Sequence, residues 1–177
     1  PHPPIAGRTR TARCGRGFTG YAVDLAALRS DPVSPPAAPR CTALGSWGAR
    51  DLMLARDGTV WIAGEAGVRA ETATGTRLYT DRTGFPLGLA RALYEDADGV
   101  LWIGTYRNGL ARLEGGVGRT DSLVFLTSRD GLAEDVVSTI VEDSRGLLWM
   151  GGNRGIHAVA RGDVDAWRAG RAPRVPA

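Results

Sequence analysis

Asp98-Gly99-Val100-Leu101-Trp102-Ile103-Gly104 is the stretch on which the reading of this chain turns. Gly99 offers the positive φ of a tight turn at little steric cost. The residues after it are branched or aromatic, suited to a pleated strand and poor helix material. The pattern recurs at Asp57-Gly58-Thr59-Val60-Trp61-Ile62-Ala63 and at Arg145-Gly146-Leu147-Leu148-Trp149-Met150-Gly151. Trp61, Trp102 and Trp149 lie 41 and 47 residues apart. Each copy continues to a second glycine with an apolar neighbour: Gly67-Val68, Gly109-Leu110 and Gly155-Ile156. Each is preceded by an apolar stretch, Leu52-Met53-Leu54, Ala92-Leu93-Tyr94 or Thr139-Ile140-Val141. Leu78-Tyr79-Thr80 and Phe125-Leu126-Thr127 close the first two units, before Gly84-Phe85 and Gly131-Leu132.

One unit reads as four short antiparallel strands. The first runs into the turn at Gly58, Gly99 or Gly146, and the second carries the tryptophan, large enough to fill the space between neighbouring sheets. The second glycine starts the third strand, and the closing segment is the fourth. Four strands in 41 to 47 residues is the period of a propeller blade. The expected fold is therefore all-β: a β-propeller fragment of about three four-stranded blades, at 49–89, 90–136 and 137–160, with Trp61, Trp102 and Trp149 in the core. Gly20-Tyr21-Ala22-Val23 echoes the outgoing strand at Gly109, so 1–48 reads as a poorly ordered or partial blade with a Pro-rich loop. Tyr21 to Leu28 is a short helix candidate, and 161–177 reads as a short helix with an Arg- and Pro-rich tail. Closed rings take about 4–8 blades, so the chain reads as an arc whose partners include the remaining blades.

Composition narrows the function classes. The isoelectric point of 9.3 invites a nucleic-acid reading. Residues 51–160, however, carry 11 Arg against 15 acids, and the positive excess sits in the flanks. A nucleic-acid binder places its basic stripe on the folded surface, so no nucleic-acid partner is expected. No apolar run approaches the roughly 20 residues of a membrane span, so any membrane contact is expected through segments outside these residues. Cys14 and Cys41 could form one disulfide or remain two thiols. With only His2 and His157 beside them, no metal site and no cofactor are expected.

No nucleophile elbow, zinc-protease motif or phosphate loop occurs, and His157 falls in a strand with no acidic neighbour in sequence. Asp57, Asp98 and Asp143 are read as acids that recur beside hairpin turns, bonding their own backbone. The sialidase-type arrangement, with Asp two residues before the turn glycine, fails because Arg56, Ala97 and Ser144 stand there.

The run from Leu93-Tyr94-Glu95-Asp96 through Leu101-Trp102-Ile103-Gly104-Thr105 to Asn108-Gly109-Leu110-Ala111-Arg112 resembles the repeat of two-component regulator propellers. The copy from Ile140 to Ile156 is similar, as is Asp130-Gly131-Leu132 between units, so the resemblance covers about 49–160. Ala63 replaces the usual glycine in the first copy. The resemblance implies a periplasmic or extracellular sensor region that binds a small molecule or oligosaccharide, ahead of a membrane span and an output domain such as a histidine kinase. No catalytic residue is expected in this segment. The expected ligand contacts are the loops after the tryptophan strands, Tyr106, Arg107 and Asn108 with Asn153 and Arg154, because loops are free to vary while strands satisfy the core. A propeller-fold lyase and a non-catalytic protein-interaction scaffold are the alternative readings, since propellers host all three.

Overall fold

The computed structural model describes residues 48–86, 89–115, 117 and 123–176, together with the backbone of two short strands nearer the N-terminus. Those strands, β1 (Ala22–Val23) and β2 (Thr42–Ala43), pair antiparallel. Ala22 and Val23 are thus extended rather than helical, which suits a β-branched residue with a strand partner. The rest of the Tyr21 to Leu28 helix candidate lies outside the described residues, as do Cys14 and Cys41.

Three antiparallel sheets follow. The first contains β3 (Asp51–Leu54), β4 (Val60–Gly64), β5 (Gly67–Thr72) and β6 (Gly75–Tyr79), paired in chain order. The second repeats it with β7 (Ala90–Glu95), β8 (Leu101–Thr105), β9 (Leu110–Leu113) and β10 (Leu123–Leu126). The third contains β11 (Thr139–Glu142), β12 (Leu147–Gly152) and β13 (Gly155–Ala160). The tryptophans share one register, Trp61 opposite Met53 and Ala70, Trp102 opposite Tyr94 and Arg112, Trp149 opposite Val141 and Ala158. First strands meet first strands: β7 touches β3 on one side and β11 on the other. This is the blade order of a propeller arc, with the first strand of each blade innermost.

The third blade corrects the four-strand expectation. After Ala160 the chain enters α1 (Arg161–Arg168) instead of a fourth strand, and Val164 of α1 is buried. The helix lies close to β13, while Asp165 pairs with Arg112 at 2.9 Å and Arg168 with Glu114 at 2.8 Å in the second blade. The tail returns to the loop before the third blade, where the Val175 amide donates to the Asp130 carbonyl at 2.7 Å.

Two apolar clusters fill the gaps between blades. Trp61 packs with Leu93, Leu101 and Ile103 of the second blade. Trp102 packs with Ile140, Leu148 and Met150 of the third. Trp61 and Trp102 are buried at 4% and 1% exposure, but Trp149 is 39% exposed. The expectation that all three are core therefore fails at the third. No following sheet covers its face among the described residues, where Val141 and Ile156 are also exposed.

The glycine that opens each third strand reports the same asymmetry. A Cβ on Gly67 would meet the Tyr79 carbonyl oxygen at 2.2 Å, and one on Gly109 the Leu126 carbonyl oxygen at 2.1 Å. Both oxygens end fourth strands. Among the described residues Gly155 has nothing within 4 Å, although its φ of +118° matches the +119° of Gly67. Alanine at either position incurs backbone strain of about 1–3 kcal/mol. At Gly67 an overlap of about 1–3 kcal/mol adds to it. Urea denaturation should therefore show Gly67→Ala as the more damaging change; equal losses would refute the strand-contact account.

Candidate functional site

Both ends of the blades carry polar constellations, and they differ in kind. At the end with the first hairpin of each blade, an aspartate organises the turn. Asp96 Oδ1 accepts from the Asp98 and Val100 amides at 2.9 and 3.0 Å, and its Oδ2 accepts from the Trp102 indole N–H at 2.9 Å. Asp143 repeats this with the Arg145 and Leu147 amides and, at 3.1 Å, the Trp149 indole. Ala55 occupies the equivalent place in the first blade, where Asp57 accepts the Thr59 amide. The sequence reading of one recurring acid is thus corrected. Asp96 and Asp143 share one register six residues before the tryptophan, while Asp57 and Asp98 share another. Asp98 serves as an ion-pair partner of Arg161 at 2.7 Å.

Arg161 is the hub of this end. It reaches Asp96 at 3.1 Å and Glu142 at 2.8 Å, and the Tyr94 hydroxyl donates to Glu142 at 2.7 Å. Burial, followed by the bond to Glu142, pushes the Tyr94 hydroxyl well above its usual pKa. Burial works against ionised Asp96 as well, but the Trp102 indole, the Val100 amide and Arg161 outweigh it and hold the carboxyl below the usual range. A cavity of about 320 Å³ opens here, lined by Asp96, Asp98, Trp102, Arg112, Arg161 and Asp165 among others. Its arginines and acids pair with one another, so the cavity is a structural seam between blade and helix.

The opposite end carries the residues singled out from sequence. The β8–β9 connection is the three-residue loop Tyr106-Arg107-Asn108, one longer than Glu65-Ala66 and Asn153-Arg154 in the other blades. Its base is fixed: the Tyr106 amide donates to the Leu89 carbonyl, and Thr105 Oγ1 accepts the Asn108 amide at 2.9 Å. Arg91 lies 4.4 Å from the Tyr106 ring centroid and Arg107 lies 5.6 Å from it. Arg91 also donates to Ser138 Oγ at 3.0 Å. In the third blade, Asn153 and Arg154 form the hairpin turn, and their amides donate to the two carboxylate oxygens of Glu134 at 3.1 and 2.8 Å. Asn153 and Arg154 are exposed while Glu134 is buried beneath them.

Sequence reasoning missed Arg91, Ser138 and Glu134, which come from the segments entering the inner strands. Arg91 occupies a register irregularity between Ala90 and Ala92, and a bulge of this kind re-aims a side chain. His157 lies opposite Met150 in the blade; burial lowers its pKa, opposed by the charge of Glu134.

Residues 84–107 and 131–154, the two stretches that run from an inter-blade loop into the hairpin loop after a tryptophan strand, each match the model of the two-component regulator propeller. Two of the three blades thus carry the two-component regulator propeller repeat. Their frame ends at Arg107 and Arg154, within the loops just described. Among solved structures, this chain is similar to the extracellular domain of BT3049 from B. thetaiotaomicron, described as a hybrid two-component system. Identity is 22% and the TM-score 0.52, over 66% of this chain and 15% of that one. It is also similar to the extracellular domain of BT4673 from the same organism, at 21% identity and a TM-score of 0.51, over 62% of this chain and 15% of the other. PorZ, a surface component of the type-IX secretion system of Porphyromonas gingivalis, aligns at 14% identity and a TM-score of 0.53, over 72% and 20%. At these identities the likeness is one of fold, and the chain spans 15–20% of the length of these structures. No curated protein matches the chain.

Proposed function

We propose that this regulator-propeller segment belongs to the sensor region of a bacterial two-component signalling protein, on the periplasmic or extracellular side of a membrane. There it binds a small molecule or oligosaccharide and performs no catalysis of its own. The observation that carries the reading is the double repeat match at 84–107 and 131–154, superimposed on blades that share one register. The extracellular placement of the two-component neighbours supports the location. Among the described residues no helix is long and apolar enough to cross a membrane.

The exposed face of the third blade supports a further blade as the neighbouring partner. In the first two blades the same face, centred on Trp61 and Trp102, is covered by the next sheet. A fourth blade with apolar residues in the register of Leu93, Leu101 and Ile103 would cover Trp149, Val141 and Ile156 likewise.

Binding of an oligosaccharide panel by the parent receptor, followed by its output phosphorylation, tests the sensor reading. Ligand-dependent phosphorylation is expected, and a receptor indifferent to every ligand it binds would contradict the reading. Incubation of the purified chain with labelled ATP is expected to leave it at background. Stable labelling would assign catalysis to this segment.

A further inference from the structure

We infer that the inner-strand end of the second blade is a carboxylate-binding site formed by Arg91, Tyr106 and Arg107, selective for acidic over uncharged saccharides. This rests on the sensor reading above and specifies its ligand class.

Tyr106 is the one aromatic residue of the three hairpin loops at this end, and an unoccupied ring there would favour stacking on a neutral sugar face. The ring is not free. The Arg91 guanidinium lies 4.4 Å from its centroid and that of Arg107 at 5.6 Å, within the range of cation–π attraction. Tyr106 therefore serves as a platform that gathers two cations.

Like charges brought to one ring repel each other unless an anion compensates. Several arginines of the described structure meet acids, Arg50 with Glu65, Arg112 with Asp165, Arg145 with Asp143 and Arg161 with three carboxylates, whereas Arg174 donates to backbone carbonyls. Neither Arg91 nor Arg107 has an acidic partner among the described residues. Arg91 is instead held by a neutral hydroxyl, Ser138 Oγ at 3.0 Å, which positions it without neutralising it.

The backbone supports the same assignment. Arg91 stands at the register irregularity at the start of β7, the inner strand of the middle blade. The loop carrying Tyr106 and Arg107 is one residue longer than its counterparts, and its base is fixed by the Leu89 carbonyl and Thr105 Oγ1. Two local departures from the repeat thus converge on one pair of guanidiniums. A planar fork of N–H donors matches a carboxylate bidentately, which a single ammonium does not.

Titration calorimetry of the 177-residue chain with tetragalacturonate, and with uncharged maltotetraose as comparison, tests the assignment. Tetragalacturonate should bind, and Arg91→Ala and Arg107→Ala should each weaken it by about tenfold or more, the scale of one charge-assisted hydrogen bond. Arg91→Lys should recover only part of the affinity, and raised salt should weaken binding. Arg145→Ala, at the opposite end, should leave the affinity unchanged. Unaltered melting temperatures would show that the variants still fold. Acidic-sugar binding insensitive to both alanine variants, or equal affinity for maltotetraose, would overturn the carboxylate site while leaving the sensor reading intact. Failure of tetragalacturonate to bind at all would likewise overturn the site. The sensor reading falls separately, on the phosphorylation response of the parent receptor.

Discussion

Trp102→Ala is expected to destabilise the chain by about 3–5 kcal/mol, the range for deleting a buried aromatic. The same change at Trp149 should cost about 1 kcal/mol, the scale of the one indole hydrogen bond that it removes. The two residues share a register, a preceding turn and an aspartate acceptor, so the local sequence predicts equal effects. They differ in what lies across from them. Trp102 is 1% exposed and packed against Ile140, Leu148 and Met150, whereas Trp149 is 39% exposed. Equilibrium denaturation of both variants decides the matter. Equal costs would mean that the third face is covered in solution. If a further blade covers this face, as proposed, the two costs should converge.

The second large effect is expected at Asp96. This carboxylate is 2% exposed and accepts from two backbone amides, the Trp102 indole and Arg161. Asp96→Ala takes the acceptor from the two amides and the indole, while Arg161 keeps Asp98 and Glu142; breaking such a buried pair costs about 3–5 kcal/mol. Stability also depends on pH through the same group. Its folded pKa is depressed below an unfolded value of about 3.9. The stabilisation is therefore complete above about pH 4–5 and is lost as pH falls through the folded pKa. Acid titration of stability should show this loss in the parent and a shallower one in Asp96→Ala. Parallel acid profiles would remove Asp96 from the role. Asp143, in the same register, has its pKa lowered first by the Trp149 indole.

Much of the fold is legible in the sequence because its signals are local. A glycine turn, a tryptophan three residues later and a second glycine specify hairpins whose hydrogen bonds close within a few residues. The recurrence of that order specifies blades. The aspartate partner is not legible in the same way, because proximity to a turn glycine does not identify it. The side-chain acceptor of the indole is set by strand register, and that places Asp96 and Asp143, rather than Asp98, beneath the ring. The candidate ligand loops follow from the same hairpin logic as the blades. Arg91 does not, because it approaches Tyr106 from a different strand, through a bulge that no residue type announces.

By itself, then, the sequence determined the repeat, the strand positions and the buried or turn-forming character of most residues, since each depends on side chains a few positions apart. Only the tertiary structure decided which faces and edges are satisfied. Among the described residues, Trp149 has the sequence surroundings of Trp102 but no sheet that covers it, and Gly155 has the backbone of Gly67 but no fourth-strand carbonyl resting on it. Burial belongs to pairs of blades, and ion-pair partners such as Arg161 with Asp96, 65 residues apart, are brought together only when the blades pack. The charge balance of Arg91 and Arg107 is set in the same way, by what the fold brings near them.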